Sequence, residues 1–437
     1  VTRRSSSRGA SIALFALFAV SIWLAVAPAV ESSKIILASV GGSPDWLIGI
    51  FRPLGAESLA GSAAGWTYYL PLMLAALLWA LVVGFAERIG SRPLLIASFA
   101  LIAVFLLAPP LLSQDVFSYI AYARLGVEHG LNPYAFRPFD IPHDPVFPFA
   151  GSKDAVDVYG PFFTLGSYPL AWLGVPAAFW ILKLVTAGSV AGIVLLARAL
   201  AERLGASPAR AIALVGLSPA TLVHVVAGAH NEAITMLVVF AGIAVAVLGR
   251  GARREQLGGF LSTLAIGIKA SAAVPLVFML AAARRKLAMF FAMAAAALLT
   301  VLTAWIGFGG DALGGLNLIS SNQDRSSRWS LPHKSVDALL GVTDGVSRAA
   351  ATDVVRLIFL ALLLMLVAYL VARSWRRPET WLANAGWATL GVLVASAWLV
   401  PWYLLWLLPF AAVGKDTRLQ AASVVFCAYT LVIAIPF

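Results

Sequence analysis

Charge is what this sequence has least of. Asp, Glu, Lys and Arg make up 12% of its 437 residues, where soluble domains carry about 25%. With 61% hydrophobic residues and a mean hydropathy of +0.90, that scarcity excludes an ordinary soluble protein. A lone cysteine, Cys427, excludes an intrachain disulfide. A glycine-rich phosphate loop is missing, and so is a soluble nucleotide-binding unit. The five histidines follow no ligand spacing, so neither a metal site nor another cofactor is expected. The formal charge of +11 would suit a nucleic-acid binder. The basic residues sit in short clusters between apolar runs, however, which argues against nucleic acid as a partner and for the lipid bilayer.

What is abundant is apolar stretches close to the roughly 20 residues that a helix needs to cross a bilayer. They fall at 11–30, 67–86, 93–112, 177–200, 211–228, 233–249, 287–308, 354–372, 381–400, 402–413 and 419–436. The expected fold class is an all-α polytopic membrane protein, a single transmembrane domain over 1–437 with about 11 spans. The first run follows Arg3, Arg4 and Arg8 as a signal peptide would. Pro28-Ala29-Val30-Glu31 is a poor cleavage site, so an uncleaved span with a cytoplasmic N-terminus is expected.

The segment 257–282 has Arg250, Arg253 and Arg254 before it and Arg284, Arg285 and Lys286 after it. A single crossing would put one cluster outside, against the positive-inside rule. A hairpin of two half-helices turning near Gly267 to Ser271 keeps both inside. It also keeps Arg373, Arg376, Arg377, Lys415 and Arg418 on the cytoplasmic side. Non-helical backbone at that depth needs protein or a polar cavity around it. With this re-entrant pair the acids gather outside, where three long loops stand at 31–66, 113–176 and 309–353. Long loops with aromatics, prolines and acids suit ordered, functional structure. The chemistry is expected outside, on a plasma (inner) membrane protein.

Five segments carry candidate residues. In 113–134 helical spacing sets Val116, Tyr119, Ile120, Ala123 and Val127 against a polar stripe of Asp115, Ser118, Tyr122 and His129. Ser113 is a candidate N-cap, and an interfacial surface helix is expected. Asp115 in its first turn either serves chemistry or merely complements the helix dipole, worth about 0.3–1 kcal/mol. At Ala227–Glu232, His230 and Glu232 can position a sugar or phosphate, or Asn231 can simply cap a helix. Lys269 lies in an apolar stretch, where an ammonium costs roughly 2.5–3.5 kcal/mol and needs an anionic partner or polar cavity. Lys183, nearer a membrane surface, suits snorkelling. Arg325, Arg328 and Lys334 with Trp329 can grip a lipid phosphate, or form a solvated loop. Finally, Pro401-Trp402-Tyr403-Leu404-Leu405-Trp406 is an aromatic belt, or the floor of a groove.

Together SQDVFSYIAYARL, GLNPY, VYGP at 158–161, SPATLVHVVAGAHNE, the lysine-tipped hairpin and PWYLLW resemble the GT-C glycosyltransferases. Within that superfamily they are most similar to the actinobacterial polyprenol-phosphate-mannose-dependent α-1,6-mannosyltransferases. The resemblance runs from about Leu111 to Phe410. It departs at Glu232, where aspartate is expected, and in length, since members are often longer.

That resemblance implies an inverting enzyme with a polyprenyl-phosphate-mannose donor and a lipomannan-type mannan glycolipid acceptor, working at the external face without a soluble nucleotide domain. It implies Asp115 as the catalytic base and Lys269, Arg325 and Arg328 at the donor phosphate. Tyr119, Tyr159, His230, Asn231, Glu232, Trp402 and Tyr403 would meet sugar and acceptor. Another polyprenyl-phosphate sugar is the nearest alternative. A secondary transporter or lipid flippase is another, and would show midplane ionisable groups and inverted repeats.

Overall fold

A computed structural model describes residues 2–31, 33–37, 43–60, 64–313, 330–343 and 345–433. Among them every regular element is helical. The longer ones are α1 (Thr2–Val26), α2 (Ala64–Ile89), α3 (Ser91–Leu107), α4 (Asp115–Val127), α5 (Pro161–Ala171), α6 (Gly174–Leu204), α7 (Pro208–Gly216) and α8 (Glu232–Leu248). After them come α9 (Ala252–Leu264), α10 (Ala273–Ala282), α11 (Lys286–Phe308), α12 (Leu331–Val342), α13 (Arg348–Arg376), α14 (Trp381–Ala395), α15 (Leu408–Val413) and α16 (Thr417–Ile433).

Local chemistry sets their ends. Gly205, with φ 71°, closes α6 in the left-handed region that glycine tolerates. Ser207 then opens α7 by accepting from the Arg210 N–H at 3.2 Å, with Pro208 in the first helical position. Ser347 caps α13 in the same way, and Arg373 and Arg376 stand in its last turn against the negative helix end.

The chain is an all-helical polytopic membrane protein. Among the described residues five helices are long and apolar enough to cross a bilayer, and a sixth counts if α7 and the π-helix Ala220–Ala227, bent by 51°, form one span. Other expected spans correspond to shorter apolar helices such as α3 and α8, of 17 residues each. The apolar window of α6 is 50% buried, whereas those of α11 and α13 are 22% and 11% buried. Thus α6 stands within the bundle while α11 and α13 present leucines and aromatics outward, as lipid-facing helices do. Trp79 on α2 ties the interior by donating its indole N–H to Ala213 O at 2.8 Å.

Two expectations fail here. The middle of the polar stripe does not lie on a surface: Ser118 and Tyr122 are each 3% exposed, covered by the loop that follows and by α5 and α6, while Asp115 and His129 at its ends keep partial exposure. Spacing along one helix cannot report what covers it. Nor does Lys183 snorkel. It is fully buried, donates to the Ala108 carbonyl, and lies 5.3 Å from the Trp180 ring centre. A free carbonyl at the end of α3, ahead of Pro109, offers it a partner that no acid supplies.

Candidate active site

The site begins where α3 stops. Leu112 takes a left-handed φ of 57° and donates its N–H to Ile35 O at 2.9 Å. Ser113 Oγ then accepts from the Asp115 N–H at 3.2 Å, one residue off the expected capping position, and Gln114 precedes the helix without a side-chain cap. Asp115, Tyr119 and Tyr122 consequently share one face of α4. Phe117 points elsewhere, stacked on Phe179 with ring centres 5.4 Å apart and planes 8° apart. Such a pair is worth about 0.5–1.5 kcal/mol beyond its buried area, and it anchors the helix that carries Asp115.

Facing Asp115 is the turn between the π-helix and α8. Ala229 is left-handed there, with φ 54°, a conformation that non-glycine residues rarely adopt and that tends to gather at functional sites. It swings His230, Asn231 and Glu232 toward α4. His230 stacks on Trp402, centre to centre 4.0 Å with planes 18° apart. Its Nδ1 lies 3.5 Å from Asp115 Oδ2 and 3.8 Å from Glu232 Oε2.

The third side is the tip of a hairpin. α9 and α10 fold back on each other, so that Glu255 Oε1 accepts from the Arg284 N–H at 2.9 Å where the two feet meet. At the tip the helices give way to two short 3-10 turns, with Lys269 extended between them (φ −155°, ψ 133°). Its ammonium engages Glu232 Oε1 and reaches Asn231 Oδ1 at 3.4 Å. It also sits 5.3 Å from the Tyr159 ring centre and 5.5 Å from that of Tyr403. Asn231 is therefore a lysine ligand, and its side chain caps no helix. Gly160 joins the loop to the tip through a 2.9 Å N–H bond to Ile268 O.

Of the residues singled out from the sequence, Asp115, Tyr119, Tyr159, His230, Asn231, Glu232, Lys269, Trp402 and Tyr403 converge on this one place. Tyr119 packs edge-on against Tyr159 at 4.9 Å, and Tyr403 stacks on Trp406 at 4.1 Å. Arg325 and Arg328 lie outside the described residues. Exposure separates the cluster into two layers: the Asp115 side chain is 32% exposed and Lys269 18%, whereas His230 and Glu232 are at 0%. Neither ring nitrogen of His230 has a protein hydrogen-bond partner among the described residues.

Burial raises the Asp115 carboxyl to about 6; the Lys269 ammonium opposes that shift and the Glu232 carboxylate adds to it. At neutral pH roughly nine-tenths is still carboxylate. Asp157 competes poorly as an outward-facing base. It is 1% exposed, with Oδ1 accepting from the Tyr159 N–H at 2.8 Å and Oδ2 from the Thr164 hydroxyl at 2.7 Å. Burial raises its carboxyl to about 7 despite those bonds. Asp154 is exposed.

Sequence reasoning missed the anchor of the loop. Asp144 accepts from Arg124 Nε at 2.8 and 3.0 Å and lies 2.8 Å from His129 Nε2. Burial alone would raise the Asp144 carboxyl, yet Arg124 and His129 hold it below the usual range. No spacing signalled this trio. Among the described residues no three His, Cys, Asp or Glu side chains form a metal-holding group.

Residues 46–285 match the family model described as "Alpha-(1->6)-mannopyranosyltransferase, N-terminal domain", and residues 333–437 match the "MptB C-terminal domain". The chain is 29% identical over 347 residues to alpha-(1->6)-mannopyranosyltransferase A of Mycobacterium tuberculosis, covering 74% of this chain and 65% of that protein. A second M. tuberculosis alpha-(1->6)-mannopyranosyltransferase is 26% identical over 389 residues, 73% of this chain and 65% of its own. Alpha-(1->6)-mannopyranosyltransferase A of Corynebacterium glutamicum is 26% identical over 198 residues, 41% and 36% of the two chains. The chain thus spans just under two thirds of the length of the mycobacterial relatives. No solved structure matches.

Proposed function

This chain belongs to the alpha-(1->6)-mannopyranosyltransferase family, and from that premise we propose that it is an inverting glycosyltransferase. In this reading it moves mannose from polyprenyl-phosphate-mannose to a growing α-1,6-mannan acceptor of lipomannan type, at the external face of the plasma membrane. The observation that carries the reading is the convergence of a partly exposed carboxylate, Asp115, and the hairpin-tip ammonium of Lys269 on the same His230–Glu232 pair.

The acceptor hydroxyl attacks the anomeric carbon on the side opposite the phosphate. The new C–O bond forms as the bond from that carbon to the phosphate oxygen breaks, and the electron pair leaves on the phosphate. The acceptor proton passes to Asp115. A positioned base contributes about 10²–10⁴-fold.

Lys269 stands where the departing phosphate gains charge, in a poorly hydrated site where a fixed cation counts most. Because Glu232 already engages it, two carboxylates face one ammonium once Asp115 is ionised. The phosphate therefore calls for further cations, a role we assign to Arg325 and Arg328. His230 and Glu232, in the fully buried layer, orient Asp115 and Lys269. Tyr119, Tyr159, Trp402 and Tyr403 offer aromatic faces to the sugars.

Incubating the purified protein with labelled polyprenyl-phosphate-mannose and a short α-1,6-mannoside tests this reading. Extension of the acceptor by an α-1,6-linked mannose supports it, and a folded protein inert toward both substrates contradicts it.

A further inference from the structure

At the other end of α8 from Glu232, about 25 Å away by helix rise, the bundle holds a cavity of about 400 Å³. Arg203, Arg250 and Arg284 line it together with Met279, Met289 and Trp381. Among the described residues none of these three guanidinium groups has an ion-pair or hydrogen-bond partner. The adjacent Glu202 is taken by Arg198 at 3.0 Å. One carboxylate, Glu255, reaches the lining, and its Oε1 is turned to the Arg284 backbone N–H. The cavity therefore offers more positive than negative charge, beside apolar side chains.

Arginine forks suit phosphate oxygens, and methionines with a tryptophan in the same lining suit the start of a lipid's chains. We propose that this cavity binds the phosphate of an anionic phospholipid headgroup. Its walls come from the ends of α6, α8 and α10 and the starts of α9, α11 and α14. An occupant consequently ties together the feet of the hairpin whose tip is Lys269. The proposal does not rest on mannosyl transfer, and its test reads binding alone.

The full chain, purified in non-ionic detergent, is unfolded thermally with added dihexanoyl phosphatidylglycerol, dihexanoyl phosphatidylcholine or inorganic phosphate. The phosphatidylglycerol should raise Tm saturably and the zwitterionic lipid should not. Arg250→Gln with Arg284→Gln should weaken that response by about tenfold or more, while Arg253→Gln, outside the cavity, should respond as wild type. If the double variant does not purify, each single variant should show a smaller loss. An equal Tm rise from inorganic phosphate alone would assign the cavity to free phosphate and overturn the lipid assignment. A response unchanged in the variants, or equal for both lipids, overturns the site.

Discussion

His230 Nδ1 stands 3.5 Å from Asp115 Oδ2, and the same nitrogen is 3.8 Å from Glu232 Oε2. One imidazole thus separates two carboxylates, with its plane set by the stacked Trp402. Fully buried itself, it can orient the partly exposed Asp115 without meeting the acceptor.

A base must be ionised to act, and Asp115 is protonated below about 6. kcat/KM should accordingly rise with pH through about 6 and stand about tenfold below its plateau near pH 5. His230→Ala should lower kcat with little change in KM and shift that acidic limb. A profile flat down to pH 4.5 in wild type would remove Asp115 from the role.

Lys269→Met should cut turnover by about 100-fold or more. It also leaves Glu232 buried without its partner, a loss of about 3 kcal/mol for a broken buried pair. Adding Glu232→Gln removes the stranded charge, so the double variant should recover Tm while remaining inactive. Activity that returns together with stability would make Lys269 a structural residue only.

Gly160 has no room for a side chain, because a β-carbon there would run into the Gly267 backbone. Gly160→Ala should push the hairpin tip away and reduce both Tm and kcat. Gly166→Ala is the control, since a β-carbon at that position meets open space. Equal behaviour of the two variants would show that the tip does not depend on this contact.

The meeting of Glu255 with Arg284 supports both hairpin feet lying on one side of the membrane. Arg253→Cys and Arg285→Cys, each in a Cys427→Ser background, should both resist an impermeant thiol reagent in intact cells. Arg253 is preferred to Gly251, whose φ of 86° would strain a cysteine. Labelling of one site and not the other contradicts the hairpin.

Much of the architecture was legible because bilayer thickness dictates the length of apolar runs. The stretches 233–249 and 287–308 became Glu232–Leu248 and Lys286–Phe308 within a residue at either end. Asp115 at a helix start and Lys269 between half-helices were legible for a related reason: charge in an apolar context is conspicuous. Their convergence with Tyr159 and Trp402 came from the family resemblance, since no periodicity links four separate segments. What stayed hidden depended on neighbours remote in sequence. Ser118 and Tyr122 read as a solvated stripe until a loop covered them, Lys183 found a carbonyl where no acid was near, and Asp144 drew Arg124 and His129 together across a loop. The left-handed turn at Ala229 was equally invisible, because alanine gives no sign of it.

The most direct test of the central claim is the rate of α-1,6-linked mannose transfer by purified Asp115→Asn, with donor binding measured on the same sample. The substitution keeps the size of the side chain and removes its basicity. Transfer should fall by about 10²–10⁴-fold with donor binding retained, while exposed Asp154→Asn stays near wild type and Asp157→Asn loses far less than Asp115→Asn. A folded Asp115→Asn protein that transfers mannose at the wild-type rate would contradict the account.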